Sequence, residues 1–187
     1  MNKALRYMFW GYFLIFFRLH VMIDILMDPI GYYLIFAGCS RLVDAYPKAK
    51  KTMNIGLIGM LVSVPSVFVN LSDPALSTGW TTYAMSLSAF KLITAYYLFV
   101  LLTEVVKTFG DQALQRRTKT TFTFYVAVHL ITLAILSFSM NMPGDDWIAL
   151  TSLVSAVAVV IMDILFLLLI GAIRRVSPEQ LRVDTFI

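Results

Sequence analysis

The chain has one cysteine, two histidines and few charges, and each scarcity removes a class of function. Cys39 alone allows no internal disulfide and no two-cysteine redox or zinc motif. It sits between Gly38 and Ser40 in an apolar run and reads as a small packed hydrophobe. His20 and His129 fall on different segments with no third ligand in register, so no metal site is expected. The catalytic signatures are missing too: no G-x-S-x-G elbow, no H-E-x-x-H, no Walker loop and no glycine-rich phosphate cradle. An enzyme is therefore disfavoured, and no cofactor is called for. Charged residues make up only 14% of the chain, against about 25% in a soluble domain.

Apolar residues fill the space instead. They reach 59%, against about 45–50% in a soluble domain. Five stretches of roughly 20 apolar residues, plus a shorter sixth, are long enough to cross about 30 Å of hydrocarbon as helices. The expected spans cover about 7–27, 30–46, 54–71, 82–106, 121–140 and 147–173, followed by a short tail, 174–187. The fold expected is all-α: a single integral membrane domain built as a six-transmembrane-helix bundle. Asp28-Pro29 ends the first span and opens the second, since aspartate caps and proline suits a first helical position. Pro47 stops the second span, and Pro65 is expected to kink the third. Lys3 and Arg6 precede the first run as they would in a signal peptide. The run continues through Met27 with no small-x-small cleavage site, so it reads as a retained span.

The charges orient the bundle. Of the 15 basic residues, 13 fall in the N-terminus, in the second and fourth gaps between spans (Arg41, near the end of the second span, counted with its gap), or in the tail. The alternate gaps hold Asp28, Asp73, Asp145 and Asp146 and no base. Short loops rich in Lys and Arg stay cytoplasmic, so both termini are expected inside a plasma membrane. The net charge of +4 is topological, not a nucleic-acid footprint, because the bases cluster at span ends. Trp80 and Trp147 mark the outer interface and Trp10 the inner one.

The two remaining bases, Arg18 and Lys91, fall inside spans, as do His20, Asp24, His129 and Asp163. A charge at mid-bilayer costs a few kcal/mol and normally faces the bundle interior. Counted from the outer markers, Arg18, Lys91 and His129 share one level. Asp163 lies about five residues deeper, roughly 7.5 Å, which a lysine side chain nearly bridges. Lys91 shares a helical stripe with Ala84, Ser88 and Ala95, and Asp163 shares one with Ser152 and Ala156. Small stripes let membrane helices approach, so both charges are expected to face protein. The expected site is a buried polar cluster of Arg18, Lys91, His129 and Asp163, with His20 and Asp24 above it as supporting polar groups. Gly56, Gly59 and Ser63 put a small face on the third span and hint at close helix contact or a homodimer.

The stretch from Ile23 to Tyr32, Ile23-Asp24-Ile25-Leu26-Met27-Asp28-Pro29-Ile30-Gly31-Tyr32, resembles a signature of uncharacterised small multi-pass membrane proteins of Gram-positive bacteria. There a proline is expected just before the second aspartate; here Pro29 follows it. The resemblance implies a plasma-membrane protein and carries no activity. Asp28 and Gly31 carry over as parts of the turn.

Two functional readings stand. One is a small-solute carrier or membrane-embedded substrate-binding subunit, whose surplus of buried positive charge favours a small anionic or carboxylate-bearing solute. Arg18 and Lys91 bind that solute, and Asp163 holds Lys91. The other is a non-catalytic accessory or assembly subunit of a larger membrane-protein complex. A cavity reaching Lys91 favours the first; a dry core with a small-residue outer face favours the second. An intramembrane enzyme needs Ser88 or His129 as nucleophile or base beside such a cavity. The lipid bilayer is the one partner common to both readings, and no nucleic acid is expected.

Overall fold

The structure is a computed structural model describing residues 1–21, 27–69, 77–139 and 146–176. Among the described residues there are six α-helices and one 3-10 turn, with no strand. The helices are α1 (Asn2–Val21), α2 (Met27–Ser40), α3 (Pro47–Val62), α4 (Thr78–Lys107), α5 (Gln112–Ser139) and α6 (Asp146–Arg175). Each packs against its neighbours in sequence, and α6 closes on α1, so the six form a ring.

Three of them, α4, α5 and α6, are long and apolar enough to cross a membrane. The other three fall short of that standard for separate reasons. The 14 residues of α2 and 16 of α3 rise only about 21 and 24 Å, less than the hydrocarbon thickness. The start of α1 carries Lys3 and Arg6, and the apolar run beyond Val21 lies outside the described residues.

Proline and capping residues set the boundaries. Pro47 opens α3 at a first-turn position, where its missing N–H leaves no hydrogen bond unmade. Pro65 does not kink a continuing helix. The α-helix stops at Val62, Ser63 donates its N–H to Gly59 O at 2.9 Å, and Pro65 sits in the 3-10 turn Val64–Val67. Tyr83 on α4 donates to the freed carbonyl of Val62 at 2.7 Å, tying α4 to the end of α3. At the other end, Asp111 caps α5 by accepting the Leu114 N–H at 3.0 Å.

Two glycine contacts fix the α1–α2–α3 side. A Cβ on Gly11 would lie 2.6 Å from Gly31 O, so α1 and α2 touch backbone to backbone. Gly56 and Gly59 face Phe36 and Tyr32 of α2. The small face of α3 is thus occupied within the chain and is not a free dimer surface.

The surface is inverted relative to a soluble domain. Tyr12, Tyr125, Lys91 and Asp163 are buried. On α6, Leu150, Leu153, Val154, Val157, Ile161, Ile164, Leu165 and Leu168 are exposed along one face. An apolar face of that length needs a non-aqueous cover.

Candidate functional site

Four helices bring buried polar groups to one point. Lys91 comes from α4, Tyr125 and His129 from α5, Asp163 from α6 and Tyr12 from α1. The geometry follows from helical spacing. Tyr125 and His129 are one turn apart, and their rings stack at 4.0 Å between centres. Tyr12 shares the buried face of α1 with Met8 and Ile15.

Asp163, fully buried, is the hub. Lys91 Nζ donates to its Oδ2 at 2.5 Å. Tyr12 donates to Oδ1 at 2.6 Å, and Tyr125 to the same oxygen at 3.0 Å. The two phenol oxygens also touch each other. His129 Nε2 lies 3.7 Å from Oδ1, beyond hydrogen-bond length. A buried carboxylate and ammonium are stable only when paired and hydrogen-bonded, and Asp163 has both kinds of partner. Lys91 Nζ also lies 5.7 Å from the Tyr12 ring centre and 5.9 Å from that of Phe16, within reach of both π faces. Below the hub, Phe99 stacks on Phe166 at 4.2 Å, and Phe166 meets Tyr12 edge-on at 4.6 Å. These rings hold the tyrosines in place.

Above the hub lies a cavity of about 270 Å³ between α4, α5 and α6. Lys91 and His129 form its floor; Ser88, Thr132, Leu136 and Ala156 are among its walls. All these residues lie in the half of the bundle nearer Trp80 and Trp147, which is its upper end. Two buried polar atoms here, His129 Nε2 and Thr132 Oγ1, have no hydrogen-bond partner. His129 is only 7% exposed. Its Nδ1 donates to Tyr125 O at 2.9 Å, which orients the ring and leaves Nε2 without a hydrogen-bond partner. Buried polar atoms rarely go unpaired, and these two belong to residues that line one cavity.

The small-residue stripes therefore do more than permit close packing. Ser88 and Ala156 line the cavity, and Ala95, below Lys91, is fully buried in the core. Ser88 Oγ donates back to Ala84 O at 3.1 Å. Among the described residues no hydrogen bond joins it to His129, as a nucleophile and base would require.

Of the residues singled out in the sequence, Lys91, His129 and Asp163 stand together. Asp24 and the side chains of Arg18 and His20 lie outside the described residues. Tyr12 and Tyr125 are partners that sequence reasoning missed. The signal for Tyr125 was its position one turn before His129; for Tyr12 there was none beyond its place in an apolar run. Among the described residues no three His, Cys, Asp or Glu side chains come together as metal ligands. No protein-family model, curated protein or solved structure matches the chain.

Proposed function

We propose that this protein is a membrane-embedded carrier or substrate-binding subunit for a small solute, held in the cavity above Lys91. The observation that carries the reading is the pair of unpartnered buried atoms, His129 Nε2 and Thr132 Oγ1, beside the Lys91 ammonium on one cavity of about 270 Å³. A carboxylate-bearing solute would accept from the Lys91 ammonium and the Thr132 hydroxyl, and a hydroxyl beside its carboxylate would donate to His129 Nε2. Its apolar body would lie along Leu133, Leu136 and Val159. Within the described site Lys91 is already matched by Asp163, so the solute is held by hydrogen bonds and orientation more than by surplus charge.

In this reading all six helices enter the lipid, with both termini cytoplasmic. The 13 bases at one end support that, as does the groove shared by Met1 and Arg174. The exposed apolar face of α6 supports lipid contact.

The test is a thermal-shift screen of the purified protein against small carboxylates and other anions. A ligand of the folded state raises its apparent stability. Ala156→Phe, on the exposed wall of the cavity, should abolish that shift and leave the unliganded melting temperature nearly unchanged. The absence of any shift across the panel would overturn this reading in favour of an accessory subunit.

A further inference from the structure

The opposite end of the bundle carries a second concavity, of about 630 Å³, where the start of α1 meets the end of α2 and the end of α6. Lys3, Arg6, Arg41 and Arg174 line it. These four bases come from segments as far apart as residues 3 and 174, and none has an ion-pair partner among the described residues. Among the described residues no acidic side chain lines the groove.

Membrane orientation alone does not explain this convergence. It asks only that bases lie on one side, and Lys48, Lys50 and Lys51 near the start of α3 meet that need while standing exposed. The groove is also partly organised. The Arg41 guanidinium lies 4.0 Å over the Tyr7 ring, which fixes its plane and leaves its edge donors free. Two further features place the groove at headgroup depth. Trp10, one turn above Arg6 on α1, is exposed as an interfacial anchor would be, and Phe9 and Phe13 pack edge-on against it.

We propose that this groove binds the anionic headgroup of a phospholipid in the leaflet facing it, with Lys3, Arg6, Arg41 and Arg174 gathered round the phosphate. Arginine suits that role because its fork donates to two phosphate oxygens at once. The site is distinct from the cavity above Lys91, and the inference rests on the membrane-embedded reading of the chain.

The test uses the full chain in neutral detergent with short-chain phosphatidylglycerol or phosphatidylcholine. Bound lipid is counted by native mass spectrometry and the melting temperature is followed. Phosphatidylglycerol should bind and raise the melting temperature; phosphatidylcholine should do neither. Arg174→Gln should weaken binding roughly fivefold, the about 1 kcal/mol that one base contributes near an anionic surface. The triple change K3Q/R6Q/R174Q should remove retention, while K48Q/K50Q/K51Q, which deletes as many charges, should keep it. Equal loss in both triples would mean diffuse surface charge and overturn the proposal. So would equal binding of phosphatidylcholine, or a full shift from millimolar inorganic phosphate alone. Flotation with liposomes of phosphatidylcholine only separates the two levels of inference. A chain that does not float overturns the membrane reading itself; one that floats but ignores phosphatidylglycerol overturns the groove alone.

Discussion

Lys91 Nζ and Asp163 Oδ2 meet at 2.5 Å in the buried centre, joining α4 to α6 across the ring. Asp163 is fully buried and Lys91 nearly so, so each charge depends on the other. Lys91→Leu and Asp163→Leu should each lower stability by about 3–5 kcal/mol, because each strands a buried ion. The double variant should recover part of that, with a coupling of about 0.5–3 kcal/mol. Thermal unfolding of the four proteins in one detergent measures the cycle, and strict additivity would refute the pairing.

Asp163 Oδ1 accepts from two phenols, and these should be separable from the rings that carry them. Tyr12→Phe and Tyr125→Phe keep the packing on Phe166 and remove one hydrogen bond to a charged acceptor. Each should cost about 1.5–3 kcal/mol. Tyr12→Leu should cost distinctly more, since the edge-on contact with Phe166 goes as well. A Tyr12→Phe protein as stable as the parent would mean that the hydroxyl contributes nothing to holding Asp163.

The helices were legible as apolar runs, but their ends were not. A hydrophobic run reports what can sit in lipid, and a helix continues past it wherever caps and charges allow. Thus α5 begins at Gln112 behind the Asp111 cap, well before the apolar run at Thr121, because Arg116, Arg117 and Lys119 are good helix formers in water. Pro47 ends one segment and also opens the next, and the apolar pattern alone shows only the first role. The charged pair was legible for the opposite reason: a lysine and an aspartate inside apolar runs have few places to go. The tyrosines were not, because nine are spread through the chain and a tyrosine suits a core, an interface or a polar hub equally well. The cavity depends on how far three helices stand apart, which no local pattern encodes.

The α1–α2 contact gives a sharp contrast between glycines. A methyl group at Gly11 would lie 2.6 Å from Gly31 O and 2.9 Å from Ile35 N, and backbone atoms cannot swing aside. Gly11→Ala should therefore force the helices apart at a cost of about 1–3 kcal/mol. Gly171, on α6, has nothing within 4 Å of such a methyl. Gly171→Ala should be neutral or stabilise by up to about 1 kcal/mol through helix propensity. Melting temperatures of the two variants decide it; equal effects would mean that α1 and α2 do not touch at Gly11.

Thr132 offers the cleanest separation of binding from folding. Its Oγ1 is buried with no partner, so the unliganded protein bears the cost of desolvating a hydroxyl for no hydrogen bond. Thr132→Val is nearly isosteric and removes that burden, so the unliganded protein should be as stable as the parent or up to about 1–3 kcal/mol more so. The same change removes a donor from the cavity, so affinity for a small carboxylate should fall about fivefold to tenfold, the worth of one hydrogen bond. His129→Gln should likewise weaken binding, since the amide cannot both donate to the Tyr125 carbonyl and keep an acceptor in the place of Nε2. Calorimetric or fluorescence titration against melting temperature reads both axes together. If Thr132→Val binds the solute as tightly as the parent, the solute's polar head does not reach this floor.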